Sequence, residues 1–179
     1  VNDNPDIVEV EYNNGTDRFE YSNGGVYVYP SEVIGFYKIS EEQAAEGSYS
    51  GKLWYDFLPD LGAVQSAGFN LTKPMLIDKP DSVVNIDVHA ESGNQQWLRM
   101  IITDANGELH RMDLAEKVNW DGWKNLTARI PSSIPLPAKL TRIYLVQPNK
   151  DLHTKGPVYF DNLFISQAEG TSLRSEERR

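Results

Sequence analysis

Short runs in which hydrophobic and polar residues alternate recur along the chain, and turn-forming Gly, Pro, Asn and Asp residues separate them. Alternation with a period of two is typical of strands that bury one face. Residues 104–109 hold an Asn-Gly pair between two such runs, which predicts a β-hairpin. The pattern predicts ten strands, at residues 7–12, 26–30, 51–57, 67–71, 82–90, 97–104, 109–114, 124–130, 140–147 and 158–165.

Helix is predicted in one short segment, residues 40–47. Ser40, Gln43 and Gly47 are spaced like a capping box followed by a helix stop, which predicts a turn or two of helix. The sequence has no long amphipathic helical pattern and no repeat of 20 to 50 residues. The prediction is therefore an all-β domain, a sandwich or a barrel.

The alternation also predicts which side chains face outward. In residues 82–90, Val84, Ile86 and Val88 point to one face. The residues expected on outer faces are Asp87 and His89 from this strand, Trp97 and Arg99 from residues 97–104, and Tyr144 from residues 140–147. If these strands are neighbours, the five form one platform. Aromatic rings stack on the C–H faces of sugars and polar groups pair with their hydroxyls, so the platform predicts carbohydrate binding.

Length and charge narrow the class of protein. The chain has 179 residues, enough for one domain with a sizeable core, and a formal net charge of -9. That charge argues against nucleic acid and against an anionic membrane surface as partners. The absence of cysteine excludes zinc–thiolate sites, thiol catalysis and disulfides. The sequence has no membrane-spanning run and no signal peptide, and its abrupt start predicts that it is part of a longer chain.

Several motifs follow in an order that resembles a known family. A Trp-Leu-Arg strand, an Asp-Ala-Asn-Gly hairpin, a Trp-x-Gly-Trp turn and a Tyr-Phe-Asp-Asn strand occur within GSYSGKLWYDF, QQWLRMIITDANGELHRMDLAEKVNWDGWKNLTARIP and LTRIYLVQPNKDLHTKGPVYFDNLFIS. Together these segments resemble the jelly-roll carbohydrate-binding modules of secreted bacterial polysaccharide-active proteins. The nearest resemblance is to the module appended to bacterial phosphodiester glycosidase (exopolysaccharide-related) proteins. It extends from about Phe19 to Ile165.

The resemblance implies a fold and a function. The fold is an antiparallel two-sheet β-sandwich, a galactose-binding-like jelly roll, over residues 18–167, with residues 1–17 as linker or first strand and residues 168–179 as a flexible tail. The function is that of a monomeric, non-catalytic module, secreted or on the cell surface, which binds a polysaccharide or oligosaccharide for a catalytic domain in the same polypeptide. The alternatives are a structural sandwich that braces neighbouring domains and a jelly-roll lyase or hydrolase.

Asp161 lies in an otherwise apolar strand, where a carboxylate needs a partner. The resemblance implies a structural Ca²⁺ held by Glu20, Glu46, the carbonyl of Tyr49 and Asp161, since calcium takes six to eight oxygen ligands. Many relatives have a second acid where this chain has an Asn after Asp161. The alternative is that Asp161 caps a backbone amide or pairs with Lys52.

The remaining tryptophans have separate expectations. Trp123 precedes a strand, a position where tryptophan commonly closes the edge of the core, and is predicted to be buried. Trp120 is expected either to pack on a loop or to contact a ligand, and Trp54 is expected to face outward. The three histidines lack the spacing of a metal site.

Overall fold

Strands form the secondary structure of the residues that the computed structural model describes, which are 16–17, 24–61 and 64–168. The predicted strand at residues 7–12 and the candidate ligand Glu20 lie outside these residues. The strands are β1 (Thr16–Asp17), β2 (Gly24–Tyr29), β3 (Ile34–Ser40), β4 (Ser50–Asp56), β5 (Ser66–Ile77), β6 (Ser82–Ala90), β7 (Trp97–Thr103), β8 (Leu109–Ala115), β9 (Gly122–Arg129), β10 (Ala138–Val146) and β11 (Lys155–Gln167).

The strands form two sheets. The first sheet has the order β3-β4-β11-β6-β9, with β1 also paired to β11, and the second has the order β2-β5-β10-β7-β8. Neighbouring strands in both sheets are antiparallel. The prediction of an all-β, antiparallel two-sheet sandwich is confirmed. The described part of the chain has no helix that could span a membrane.

The core lies between the sheets and is built from the inward-facing positions of the strands. Val84, Ile86 and Val88 of β6 are fully buried, as the alternation predicted. Phe69 of the second sheet contacts Phe160 of the first, with ring centroids 5.1 Å apart. Burial of such large side chains contributes about 1.5–3 kcal/mol each, which is what holds the two sheets together.

Two segments differ from the sequence prediction. The sequence does not predict strand β3, because its outward-facing residues Ile34 and Phe36 are hydrophobic and so hydrophobic and polar residues do not alternate along the segment. In the structure these two side chains are 52% and 47% exposed. The helical turn predicted at residues 40–47 is wrong, because Ser40 ends β3 and residues 41–47 form bends and loop without helix. The amides of Ala45 and Glu46 donate to the Asp161 carboxylate instead of continuing a helical turn.

The predicted hairpin joins β7 to β8. The Asp104 amide donates to the Glu108 carbonyl at 2.8 Å, and Gly107 has a φ of 85°, which favours glycine. Asp104 Oδ1 accepts hydrogen bonds from the amides of Asn106 and Glu108, and its Oδ2 lies 2.8 Å from His110 Nε2. Asp104 therefore organises the whole turn.

The Asp104 contacts predict a pH dependence of stability. The hydrogen bond from His110 lowers the pKa of Asp104 below its ordinary value of 3.8. A carboxyl whose pKa is lowered by folding stabilises the fold above its unfolded pKa, and that stabilisation is lost as the pH falls through the folded pKa. We expect Asp104→Asn to be less stable than the wild type at pH 7, with the difference shrinking as the pH falls below about 4. Denaturant melts across pH test this, and a difference that does not change with pH would contradict it. Asp151→Asn, at an exposed loop carboxylate, is the control.

Candidate functional site

The five predicted platform residues do not share a face. Asp87 and His89 lie on β6 in the first sheet, whereas Trp97, Arg99 and Tyr144 lie on β7 and β10 in the second. Outward-facing residues of the two sheets lie on opposite sides of a sandwich. The prediction of one platform is therefore wrong, because it assumed that β6 and β7 are neighbours.

The outer face of the second sheet brings together three of the five predicted residues around an open groove. The groove has a volume of about 360 Å³ and is lined by residues from all five strands of this sheet. Tyr27 of β2, Gly68 of β5, Tyr144 of β10 and Arg99 of β7 are aligned in register across the sheet. Its aromatic and cationic lining residues are Tyr27, Tyr29, Arg99, Arg111, Arg142 and Tyr144.

A close approach between β5 and β10 shapes the floor of the groove. A Cβ atom at Gly68 would overlap the Ile143 carbonyl oxygen and lie 2.5 Å from Tyr144 Cβ. Because Gly68 has no side chain, the rings of Tyr27 and Tyr144 meet across β5, edge to face with centroids 6.0 Å apart. The glycine thus joins two aromatic residues from strands that are not neighbours.

Arg142 forms a flat polar surface next to these rings. Its guanidinium carbon lies 3.6 Å from the centroid of the Tyr27 ring, and its Nε donates to Asn70 Oδ1 at 2.6 Å. A guanidinium stacked on a ring and held by one hydrogen bond loses little further freedom on binding. The arrangement prepares Arg142 to meet a ligand.

Arg99 has a comparable arrangement at the other side of Tyr144. Its guanidinium carbon lies 4.2 Å from the Trp97 ring, and its Nε pairs with Asp113 Oδ1 at 3.1 Å. The Trp97 Nε1 group is buried and has no hydrogen-bond partner among the described residues. Trp97 therefore supports Arg99 from beside the groove.

The Tyr144 hydroxyl remains neutral at ordinary pH. Burial raises the pKa of Tyr144, and the positive charges of Arg99, Arg111 and Arg142 act in the opposite direction. A neutral phenol can both donate and accept a hydrogen bond. Together with the guanidinium donors, it gives the groove the mixture of rings and polar groups that a sugar requires.

Asp87 and His89 are engaged in packing on the first sheet. Asp87 Oδ1 accepts a hydrogen bond from Asn125 Nδ2 at 3.0 Å. The His89 ring lies edge to face against Trp123 and Tyr159, with centroid distances of 5.3 and 5.5 Å. These contacts place both residues in a separate cluster on the side of the sandwich opposite the groove.

The tryptophans occupy different environments. Trp123 lies half-buried beside His89 on the outer face of the first sheet, so the prediction that it closes the core is wrong. Trp120 packs against the core instead, and its Nε1 donates to the Val88 carbonyl at 3.1 Å. Trp54 faces outward, as expected, and stacks on Phe36 with centroids 6.4 Å apart.

Four of the aromatic and cationic lining residues were absent from the predicted site: Tyr27, Tyr29, Arg111 and Arg142. The alternation of the sequence could have identified some of them, since Arg142 is two residues from Tyr144 and Tyr27 is two residues from Tyr29, so the members of each pair point to the same face. What it lacked was the order of the strands, which places β2 and β8 at opposite edges of the same sheet.

The candidate calcium ligand Asp161 lies at a second polar site, fully buried in β11. Its Oδ2 accepts hydrogen bonds from the amides of Ala45 and Glu46 at 2.9 and 2.8 Å, and its Oδ1 accepts one from the Asn162 amide at 2.8 Å. The loop before β4 and the last strand therefore meet at Asp161, as the resemblance implied. The donors are amide N–H groups, which fits the alternative in which the carboxylate caps the backbone.

The other candidate partners of Asp161 differ in their placement. Lys52 Nζ pairs with Glu42 at 2.8 Å, so its carboxylate partner is not Asp161. Tyr49 lies in the same loop as Glu46, and Glu20 is outside the described residues. Within the described ranges, no group of three or more His, Asp or Glu residues is placed to hold a metal ion. Calcium stays a prediction.

The fold resembles those of known carbohydrate-binding modules. No family model matches the chain, and no curated protein matches its sequence. One similar structure is a β-sandwich carbohydrate-binding module of promiscuous specificity, with 14% identity, a TM-score of 0.65, and coverage of 87% of this chain. This chain spans 63% of the length of that structure.

Two further structures are similar over most of this chain. TmCBM61, solved in complex with β-1,4-galactotriose, has 16% identity and a TM-score of 0.55, covering 85% of this chain and 95% of its own. The CBM22-1–GH10 modules of Clostridium thermocellum xylanase 10B, in complex with xylohexaose, have 12% identity and a TM-score of 0.55, covering 88% of this chain and 29% of their own. At these identities the likeness establishes the fold.

Proposed function

We propose that this chain is a non-catalytic carbohydrate-binding module that uses the groove on the second sheet. The observation that carries the proposal is the alignment of aromatic rings, guanidinium donors and a neutral phenol along one open groove. A module of this kind raises the local concentration of an attached enzyme at its substrate, so weak binding is sufficient.

The structural neighbours support the proposed partners. The galactotriose in TmCBM61 and the xylohexaose in the xylanase modules are oligosaccharides, and the xylanase example carries a GH10 module in the same chain. By analogy, we propose a polysaccharide or oligosaccharide ligand and an adjacent catalytic domain for this chain. A shared fold does not fix the ligand, so the proposal depends on the residues that line the groove of this protein.

The finer assignments are also proposals. The order of the motifs supports a relation to the modules of bacterial phosphodiester glycosidase proteins, and with it a bacterial, secreted or cell-surface protein that acts as a monomer. The same resemblance supports a structural calcium ion near Asp161. That residue lies in the first sheet, so such an ion would serve stability and not sugar contact.

One observation supports the alternative function, a structural sandwich that braces neighbouring domains. Ile34 and Phe36 are exposed and lie with Trp54 on the outer face of the first sheet, opposite the groove. A hydrophobic cluster of this kind suits contact with a neighbouring domain. Binding and bracing would therefore use different faces.

The groove chemistry favours binding over glycoside hydrolysis. Glycoside hydrolysis commonly uses two carboxylates that flank the scissile glycosidic bond. The lining residues within the described ranges include no Asp or Glu, and the nearby Asp113 is paired with Arg99. This supports a binding role for the groove.

Groove variants test the proposal directly. Tyr29 lines the groove and is 57% exposed, so Tyr29→Ala removes a stacking surface without opening the core. We expect Tyr29→Ala and Trp97→Ala each to reduce glycan affinity at least about tenfold, and Tyr29→Ala to change the free energy of unfolding by less than about 1 kcal/mol. Affinity gels and denaturant melts measure both quantities.

The matched control is Phe36→Ala, an exposed aromatic residue on the opposite sheet. It should leave glycan retention unchanged. Loss of retention in Phe36→Ala, with none in Tyr29→Ala and Trp97→Ala, would transfer the binding site to the first sheet. Release of sugar fragments by the wild type would identify an enzyme and overturn the non-catalytic proposal.

A further inference from the structure

The groove has a charge opposite to that of the whole chain. Its described lining residues include three arginines, Arg99, Arg111 and Arg142, and no carboxylate. The chain as a whole carries a formal charge of -9. A local concentration of positive charge on an acidic protein creates a field that a specific anionic ligand can use.

Two of the three guanidinium charges are not compensated by a described carboxylate. Arg142 is held by Asn70, a neutral side chain. Arg111 is exposed and forms no ion pair with any residue in the described ranges. Arg99 pairs with Asp113 through Nε, which leaves its terminal nitrogens as further donors.

Arg142 and Arg111 lie on different strands of the second sheet, with one strand between them. Arg142 pairs in register with Ile101, which pairs with Arg111, so the two arginines lie two strands apart, about 10 Å. A planar guanidinium binds a carboxylate or a sulfate group through two parallel hydrogen bonds. The exposed ring of Tyr29 lies in the same groove and offers a stacking surface for a sugar ring between such groups.

We propose that the groove selects an anionic polysaccharide, one whose sugars carry carboxylate or sulfate groups. This inference rests on the function proposed above and specifies its ligand. A neutral glycan would leave the charges of Arg111 and Arg142 without a counter-charge. The overall negative charge repels a polyanion, so its retention has to come from the groove.

The first test compares polymers on the intact chain. Polygalacturonate supplies carboxylates, a sulfated galactan supplies sulfates, and β-1,4-galactan is neutral. We expect at least one anionic polymer to bind about tenfold more tightly than the neutral one at low salt, with the advantage falling as ionic strength rises, because salt screens exposed charges. The two anionic polymers distinguish the carboxylate from the sulfate.

The second test uses variants at an exposed position. Arg111→Gln should reduce affinity for the preferred anionic polymer about tenfold, and Arg111→Lys, which keeps the charge, should retain part of it. Arg129→Gln is the matched control, since Arg129 is an exposed arginine on the first sheet paired with Asp81. An equal loss in Arg129→Gln would indicate non-specific attraction and overturn the inference.

The outcomes separate the inference from the proposed function. If the neutral galactan binds as tightly as both anionic polymers, and Tyr29→Ala weakens it, the groove binds sugars without selecting charge. The inference then fails and the proposed function stands. If no polymer from a wider glycan panel is retained, the proposed function fails and takes the inference with it.

Discussion

Replacing Gly68 with alanine should lower the free energy of unfolding by about 3 kcal/mol. The added Cβ would overlap the carbonyl oxygen of Ile143 and crowd the Cα and Cβ of Tyr144. Because these are main-chain atoms and a Cβ, no change of rotamer relieves the overlap, and β5 and β10 have to separate. The separation would also disturb the contact between Tyr27 and Tyr144, so glycan retention should fall with stability.

Gly25 provides a matched control on the same sheet. A Cβ at Gly25, in the neighbouring strand β2, meets no described atom within 4 Å. Gly25→Ala should leave stability unchanged or raise it slightly, since alanine loses less backbone entropy on folding. Denaturant melts compare the two variants. Equal stability of Gly68→Ala and Gly25→Ala would show that β5 and β10 do not approach as closely as described.

The alternation of the sequence was sufficient to predict the direction of most strand side chains. Leu98, Met100 and Ile102 are fully buried, and Arg99 faces outward between them. This information is local, because successive side chains of a strand point to opposite faces whatever the strand pairs with. The all-β fold, the groove residues Arg99 and Tyr144, and the adjacent Trp97 follow from it.

The order of the strands was not predictable in the same way. β6 and β7 are consecutive in the chain and separated by only six residues, yet they belong to different sheets. A short connection can close a hairpin or cross to the other sheet, and the alternation within each strand is the same in both cases. Asp87 and His89 were therefore assigned to the wrong face although their outward direction was correct.

Burial was not predictable where hydrophobic and polar residues do not alternate, as in the turn before β9. Trp120 and Trp123 lie three residues apart around the start of β9, where no alternation decides which of the two is buried. Both are half-buried, but Trp120 packs against the core with its Nε1 donating to the Val88 carbonyl, whereas Trp123 lies on the outer face of the first sheet. The sequence predicted core burial for Trp123 and left Trp120 open between loop packing and ligand contact.

Removing the Asp161 carboxylate should also cost about 3 kcal/mol, because hydrogen bonds to a charged group contribute about 1.5–3 kcal/mol each and water can replace part of the loss. The amides of Ala45, Glu46 and Asn162 would lose their acceptor in Asp161→Ala. Asp87→Ala is the control. Asp87 is the register partner of Asp161 on the neighbouring strand β6, but its carboxylate accepts hydrogen bonds from the side-chain amides of Asn125 and Asn162 and not from the backbone. We expect Asp87→Ala to lower the free energy of unfolding by about 1 kcal/mol.

Chelation separates the two roles proposed for Asp161. A calcium ion that binds only the folded state stabilises it by mass action, so a chelator should lower the Tm of the wild type and leave Asp161→Ala unaffected. An unchanged Tm, with no calcium found by elemental analysis, would overturn the metal site and leave amide capping as the role of Asp161. In either case, folded Asp161→Ala should still retain glycan, because Asp161 lies in the first sheet and the groove is on the second. Loss of retention in a variant that remains folded would show that the two sheets do not act independently.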